Sequence, residues 1–137
     1  MLRRSQSREV AFQVLYQDDL NPRGNPAEGD RFIGRRLRAD DMIAFARELV
    51  AGVRKNRPEI DARLEEIAAH WSLKRMAATD RNVLRLGAYE ILFSDTPGRV
   101  AIDEAIELAK RFGSAQSSQF VNGVLDQVLH EKRTTDE

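Results

Sequence analysis

The sequence predicts an all-α protein, a compact helical bundle, on three observations. Apolar residues recur at intervals of three and four through six segments. No alternating β-branched run bounded by turn residues competes with them. Most links between the segments are short, which favours antiparallel neighbours.

Val10, Ala11, Val14 and Leu15 set the face of a first helix that Ser5 or Ser7 can cap and that runs to about Leu20. The stretch from Asn21 to Arg36 concentrates Pro and Gly and reads as a surface loop. Asp40 or Asp41 opens a second helix with Met42, Phe45, Ala46, Leu49, Val50 and Val53 inward, ended by the cations Arg54 and Lys55. Pro58 suits the first turn of a third helix, with Ile60, Leu64, Ile67, Ala68 and Trp71 on its core face. After a link from Ser72 to Ala78, Thr79 or Asp80 caps a fourth helix whose inward set is Val83, Leu84, Gly87, Ala88, Ile91 and Leu92; its small residues permit close helix contact. Pro97 and Gly98 end that segment. Ile102, Ala105, Ile106, Ala109 and Phe112 define the fifth helix, for which Gly113 is the expected left-handed cap. Ser114 to Ser118 supply the next turn and cap, and Val121, Val124, Leu125, Val128 and Leu129 line the sixth helix. The polar end from Glu131 to Glu137 is expected to fray, as are residues 1–4.

A chain of 137 residues buries roughly 68% of its unfolded surface, enough for one core, so residues 1–137 are expected to form a single domain. Lys+Arg and Asp+Glu balance at 22 each, so a polyanion must be met by a local patch and not by an overall basic field. The absence of cysteine excludes disulfides, thiolate metal sites and a cysteine nucleophile. His70 and His130 lie far apart without metal-ligand spacing, so neither a metal nor a cofactor is expected, and both are read as helix-surface residues. The start MLRRSQSREV lacks the apolar core of a signal peptide, and no apolar run reaches the length of a membrane span. A soluble, cytoplasmic protein without membrane contact is the expectation.

No constellation supports catalysis, so no catalytic residue is assigned. The adjacent pairs Glu65-Glu66 and Asp103-Glu104 project about 100° apart on a helix and read as solvated faces. The amino end differs in kind: Arg3, Arg4 and Arg8 place positive charge at a helix N-terminus, against its dipole. Arginine forks match phosphate oxygens and stack on bases, which makes RNA a candidate partner for this segment; on the residues alone the favoured reading is a frayed, solvated terminus. Phe120 lies about 100° from the stripe of Val121, Val124, Leu125 and Val128, at the edge of the core. With Ser117, Asn122 and Lys110 nearby it can stack one unpaired base, the alternative being a peripheral core aromatic. Phe12 and Tyr16 form an i, i+4 aromatic pair on either a second packing face or a partner's surface, whereas Trp71, in line with Ile67 and Leu64, reads as core.

The segments R-E-V-A-F-Q-V-L-Y from Arg8 to Tyr16, D-R-N-V-L-R-L-G-A-Y-E-I from Asp80 to Ile91, and V-A-I-D-E-A-I-E-L-A-K-R-F-G followed by S-S-Q-F-V-N-G-V-L-D through Asp126 resemble the NusB family of bacterial transcription antitermination proteins. The similarity covers nearly the whole chain, the last stretch being specific; the loop from Leu20 to Ala39 and the tail carry little of it. The resemblance implies two small three-helix sub-bundles, no catalytic activity, and binding to the single-stranded boxA element of nascent ribosomal RNA. It implies a protein partner, NusE, a small-subunit ribosomal protein, and a place on elongating RNA polymerase with other Nus factors. Carried onto this chain, Arg3, Arg4 and Arg8 correspond to the family's arginine-rich arm, here short and interrupted by Ser5-Gln6-Ser7. Phe120 corresponds to its base-contacting aromatic, with Lys110, Ser117 and Asn122 nearby, and Tyr16, Asp80 and Glu90 fall where partner contacts are expected. Some relatives form homodimers, which leaves self-association open. The module also begins certain ribosomal RNA methyltransferases, but methyl transfer is not expected of these 137 residues. The competing reading is a helical protein-interaction module that touches no RNA.

Overall fold

The computed structural model describes residues 2–68 and 72–136, the side chain of Leu2 apart. Helix α1 spans Leu2–Leu20, α2 Pro26–Arg36, α3 Asp40–Ile67, α4 Ala78–Phe93, α5 Gly98–Phe112 and α6 Ser117–Asp136, with a 3₁₀ turn at Leu73–Arg75. The expected all-α class holds: six α-helices and no strand occur among the described residues. The expectations for His70 and Trp71 lie outside the described residues.

Two of the six helices differ from the pattern expected. The stretch read as a loop contains α2. Asn25 caps it, its side chain accepting from the Ala27 N–H at 3.0 Å, Pro26 takes the first position, and Arg35 and Arg36 occupy the last turn. Ile33 anchors this helix, 1% exposed, between α1 and α3. Conversely, the second and third expected helices are one. Helix α3 passes straight through Pro58, which lies on its exposed side, while Met42, Ala46, Leu49, Val50, Val53, Ile60 and Leu64 keep one continuous buried stripe. A proline whose missing N–H faces water loses one intrahelical bond but no core contact, so the stripe decides.

Smaller corrections concern the helix ends. Neither Ser5 nor Ser7 caps α1: Ser7 is fully buried and donates to the Met42 carbonyl at 2.9 Å, and Ser5 donates to Glu104 at 2.6 Å. Ala77, with no side-chain hydrogen bond, precedes α4 in place of Thr79 or Asp80. Gly113 has φ −97°, so it is not a left-handed cap. Its role is steric, because a Cβ there would meet Ser117 Oγ at 2.4 Å. The tail continues as helix through Asp136.

Helices α1, α2 and α3 pack mutually as one three-helix unit, and α4, α5 and α6 as another. Helix α4 joins them by lying against α1 and α3, and every residue from Asn82 to Ile91 is buried. Gly87 permits close contact there, since a Cβ would meet Leu125 Cδ1 at 2.6 Å. One apolar cluster runs through both units, from Val10 and Phe12 through Leu49 and Leu84 to Leu125 and Val128.

Candidate functional site

The charged residues inside α4 are satisfied by partners across the unit boundary. Arg8 and Glu90, expected as an RNA contact and a partner contact, are 3% and 1% exposed. Arg8 Nε and Nη2 donate to Glu90 Oε1 and Oε2 at 2.8 and 2.9 Å, and Thr96 Oγ1 donates to Glu90 Oε2 at 2.9 Å. Arg8 Nη1 lies 3.4 Å from Glu104 Oε1. Buried charge persists only when paired and hydrogen-bonded, so these two groups fasten α1 to α4 and present no charge to solvent.

A second ionic cluster fixes the connection into α4. Asp19 Oδ2 accepts from Arg81 Nε at 2.7 Å and Asn82 Nδ2 at 2.8 Å, while Arg85 is paired with Asp61 at 2.8 and 3.0 Å. Burial alone would push the Asp19 carboxyl up; the hydrogen bonds from Asn82 and Arg81 and the charges of Arg81 and Arg85 outweigh it and hold the group below its ordinary value. Arg81 Nη1 also donates to the carbonyls of Leu73 and Met76 at 2.8 and 3.0 Å. The clamp holds the 3₁₀ turn in place, and with it one wall of the cavity that contains Phe120.

That cavity measures about 480 Å³, within the range of small-ligand sites. Phe120 and Ser117 of α6 face Met76, Ala77 and Asp80 across it, with Arg75 and Ser114 at its edge. Phe120 is partly buried against the core. Ser117 is 2% exposed, and its hydroxyl accepts from the Ser114 N–H at 2.8 Å, shaping the turn between α5 and α6. Asp80 Oδ1 is buried with no hydrogen-bond partner among the described residues. An apolar ring, the side-chain amides of Gln116 and Gln119 and a carboxylate around one opening can stack and read the edge of a flat heterocycle.

The expected companions of Phe120 separate. Asn122 does not line this cavity; its Oδ1 accepts from Arg99 Nη2 at 3.5 Å. Two residues along a helix is about 200°, so Asn122 and Phe120 look in opposite directions. Lys110 stands on the exposed side of α5, its Nζ 3.7 Å from Glu107, and lines neither this cavity nor the one beside the arm.

The arm itself is helical. Arg3 Nη2 donates to Asp41 Oδ1 at 2.5 Å, which holds the exposed Asp41 carboxyl below its usual range. The Arg4 guanidinium lies 4.2 Å above the centre of the Phe45 ring. Arg3 borders a separate cavity of about 740 Å³, together with Arg36, Arg38 and Arg111. Arm and ring therefore do not share one concave rim, as their grouping in a single site would require; the end of α5 lies between them, with Arg111 at the first cavity and Ser114 at the second. Sequence reasoning missed Arg36 and Arg38, since they fell in the supposed loop, and Arg111, whose neighbour Lys110 was chosen.

Tyr16 borders a groove of about 390 Å³ with Phe12, Gln13, Gln17, Thr79 and Phe112. Phe12 is core, its ring 5.1 Å from that of Phe112, and Tyr16 is half-buried, 6.1 Å from Phe12. Thr79 precedes Asp80, so Tyr16 and Asp80 belong to neighbouring surfaces. Among the described residues no group of His, Asp and Glu can hold a metal ion, and no helix is long and apolar enough to cross a membrane.

Comparison with known proteins adds to this geometry. The model of the NusB family matches residues 5–130. A transcription antitermination protein NusB of Desulfitobacterium hafniense is 43% identical over 134 residues, covering 96% of this chain and 90% of that relative. The solved structure of T. maritima NusB superposes with a TM-score of 0.84 at 35% identity, covering 98% of this chain and 97% of that one. A structure of the antitermination factors NusB and NusE in complex with dsRNA gives a TM-score of 0.84 at 32% identity, covering 96% of this chain and 98% of the matched chain.

Proposed function

The chain belongs to the NusB family, and from that membership we propose that it works as a transcription antitermination factor. It binds the single-stranded boxA element of nascent ribosomal RNA together with NusE, and the pair joins the RNA polymerase elongation complex with other Nus factors and helps polymerase pass terminators. It is a cytoplasmic, non-enzymatic adaptor that uses no cofactor, and residues 1–137 act as one RNA-binding domain.

The observation that carries this reading is the Phe120 cavity, where a partly exposed ring meets polar groups; Arg111 at the end of α5 and Arg3 of α1 line a separate cavity beyond it. Arg3 and Arg4 supply phosphate attraction, Phe120 stacks a base, and Ser117 shapes the turn that presents the ring. Arg8 serves the site indirectly, by fixing the helix that carries the arm. Tyr16 and Asp80 form the NusE side; Glu90, buried ten residues further along α4 against Arg8, serves it only by fastening α1 to α4. Lys110 adds positive potential at the end of α5, while Asn122, which accepts from Arg99, faces away from the ring.

Titrating fluorescent boxA RNA with the chain, with and without NusE, tests the reading. Tight, salt-sensitive binding that strengthens with NusE is expected. Capture of NusE with no RNA binding under either condition would leave a helical protein-interaction module instead.

A further inference from the structure

We propose that the cavity between the amino end of α1 and the α2–α3 connection is a second phosphodiester-binding site, which carries the RNA backbone onward from the Phe120 cavity. The proposal rests on the RNA-binding reading above and extends its footprint to residues 36–38. The cavity, about 740 Å³, sets Arg3, Arg36, Arg38 and Arg111 against the single carboxylate of Glu9. That carboxylate is already engaged by Arg111 at 2.8 Å, and the nearby Asp41 by Arg3 at 2.5 Å.

Arg36 and Arg38 are exposed, and neither is in an ion pair among the described residues. The Arg36 guanidinium carbon lies 5.3 Å from the centre of the Phe32 ring, a contact that occupies no hydrogen-bond acceptor and leaves its N–H groups for one. In a chain with 22 charges of each sign, two such guanidinium groups at one opening are a local excess. Leu37 and Met42, both buried, line the cavity from below the arginines, and the nearby apolar core strengthens attraction to a phosphate at the opening.

Continuity favours a polynucleotide over an acidic protein. Arg111 lines this cavity and Ser114, three residues on, lines that of Phe120, so a strand with one base on Phe120 passes the end of α5 on its way to Arg36 and Arg38. Guanidinium forks match phosphate oxygens in geometry as well as charge.

The test is an Arg36→Gln/Arg38→Gln variant of the full chain, titrated by fluorescence anisotropy against single-stranded boxA RNA with NusE across a salt series. Each lost contact removes about 0.7 from the slope of log affinity against log salt, so the slope falls by about 1.4. Between 50 and 200 mM salt the wild-type chain then loses about sevenfold more affinity than the variant. The Arg36→Lys/Arg38→Lys chain keeps the slope. The single Arg38→Gln variant gives half the change and keeps the test open should the double variant misfold. Tight wild-type binding with an unchanged variant slope overturns this site and leaves the boxA reading standing. Absence of wild-type RNA binding overturns both. An unchanged slope with weakened NusE binding gives the patch to a protein partner and also overturns the proposal.

Discussion

Replacing Arg8 by methionine removes the cation that faces Glu90 across the two three-helix units. In the native chain both side chains are almost completely buried, joined by two hydrogen bonds of 2.8 and 2.9 Å. After the change Glu90 keeps one side-chain donor, the Thr96 hydroxyl at 2.9 Å. Removing one partner of such a pair costs about 3–5 kcal/mol, because the remaining charge is buried without compensation. With a urea dependence of about 2 kcal/mol per molar, the unfolding midpoint falls by about 1.5–2.5 M. The double variant Arg8→Met/Glu90→Leu removes both charges and recovers most of that loss, since apolar replacement of a whole buried pair is close to neutral. Urea unfolding followed by far-ultraviolet circular dichroism on the wild type, both singles and the double gives the coupling energy directly. An Arg8→Met chain that unfolds at the wild-type midpoint yet loses RNA affinity and salt dependence would refute the structural role and return Arg8 to the RNA.

Phe120→Ala should weaken boxA binding by about 1–3 kcal/mol, the value of one stacked base, with the circular dichroism spectrum and salt slope retained; unchanged affinity would remove the ring from the interface. Gly52→Ala brings a Cβ to 2.2 Å from the Tyr89 ring and should cost about 1–3 kcal/mol of stability, whereas Gly123→Ala meets nothing within 4 Å and should gain up to about 1 kcal/mol by helix propensity. Thermal unfolding of the two variants checks the contrast, and equal shifts would contradict it. For Asp19 the native carboxyl titrates below its ordinary value of 3.8, so its contribution is fully present above that value and is lost as pH falls through the lower native one. Stability measured from pH 7 down to 3 should therefore fall more steeply for the wild type than for Asp19→Asn, and parallel curves would show that Asp19 is not paired as described.

Strong apolar periodicity made α1, α4, α5 and α6 legible, because each buries a wide stripe that propensity alone need not support. Helix α2 was hidden because only Phe32, Ile33 and Leu37 mark its face amid Gly29 and Gly34, although Asn25-Pro26 was a start signal in plain view. Pro58 misled in the opposite sense, since a proline on the wet side of a long helix leaves the buried stripe intact. Within the site, Phe120 at the edge of its helix stripe and Tyr16 at a groove are readable from the helical wheel, and so is the opposite orientation of Asn122, two residues and about 200° further on. The burial of Arg8 against Glu90 was not readable, because the pair is 82 residues apart and an arginine near a chain terminus ordinarily faces water. Nor were Arg36 and Arg38, which reach the arm only because α2 folds back on α1.

On the proposed function, RNA lies along the end of α5, from the arginines of α1 to Phe120. Resonances of the backbone amides and arginine Nε–H groups, followed as boxA RNA is added to the full chain with NusE, test it most directly. Ser114 to Phe120, Arg111, Arg3 and Arg4 are expected to shift together while the buried Arg8 stays in place. Shifts confined to the ionic cluster of Asp19, Asp61 and Arg85, or none at all, would overturn it.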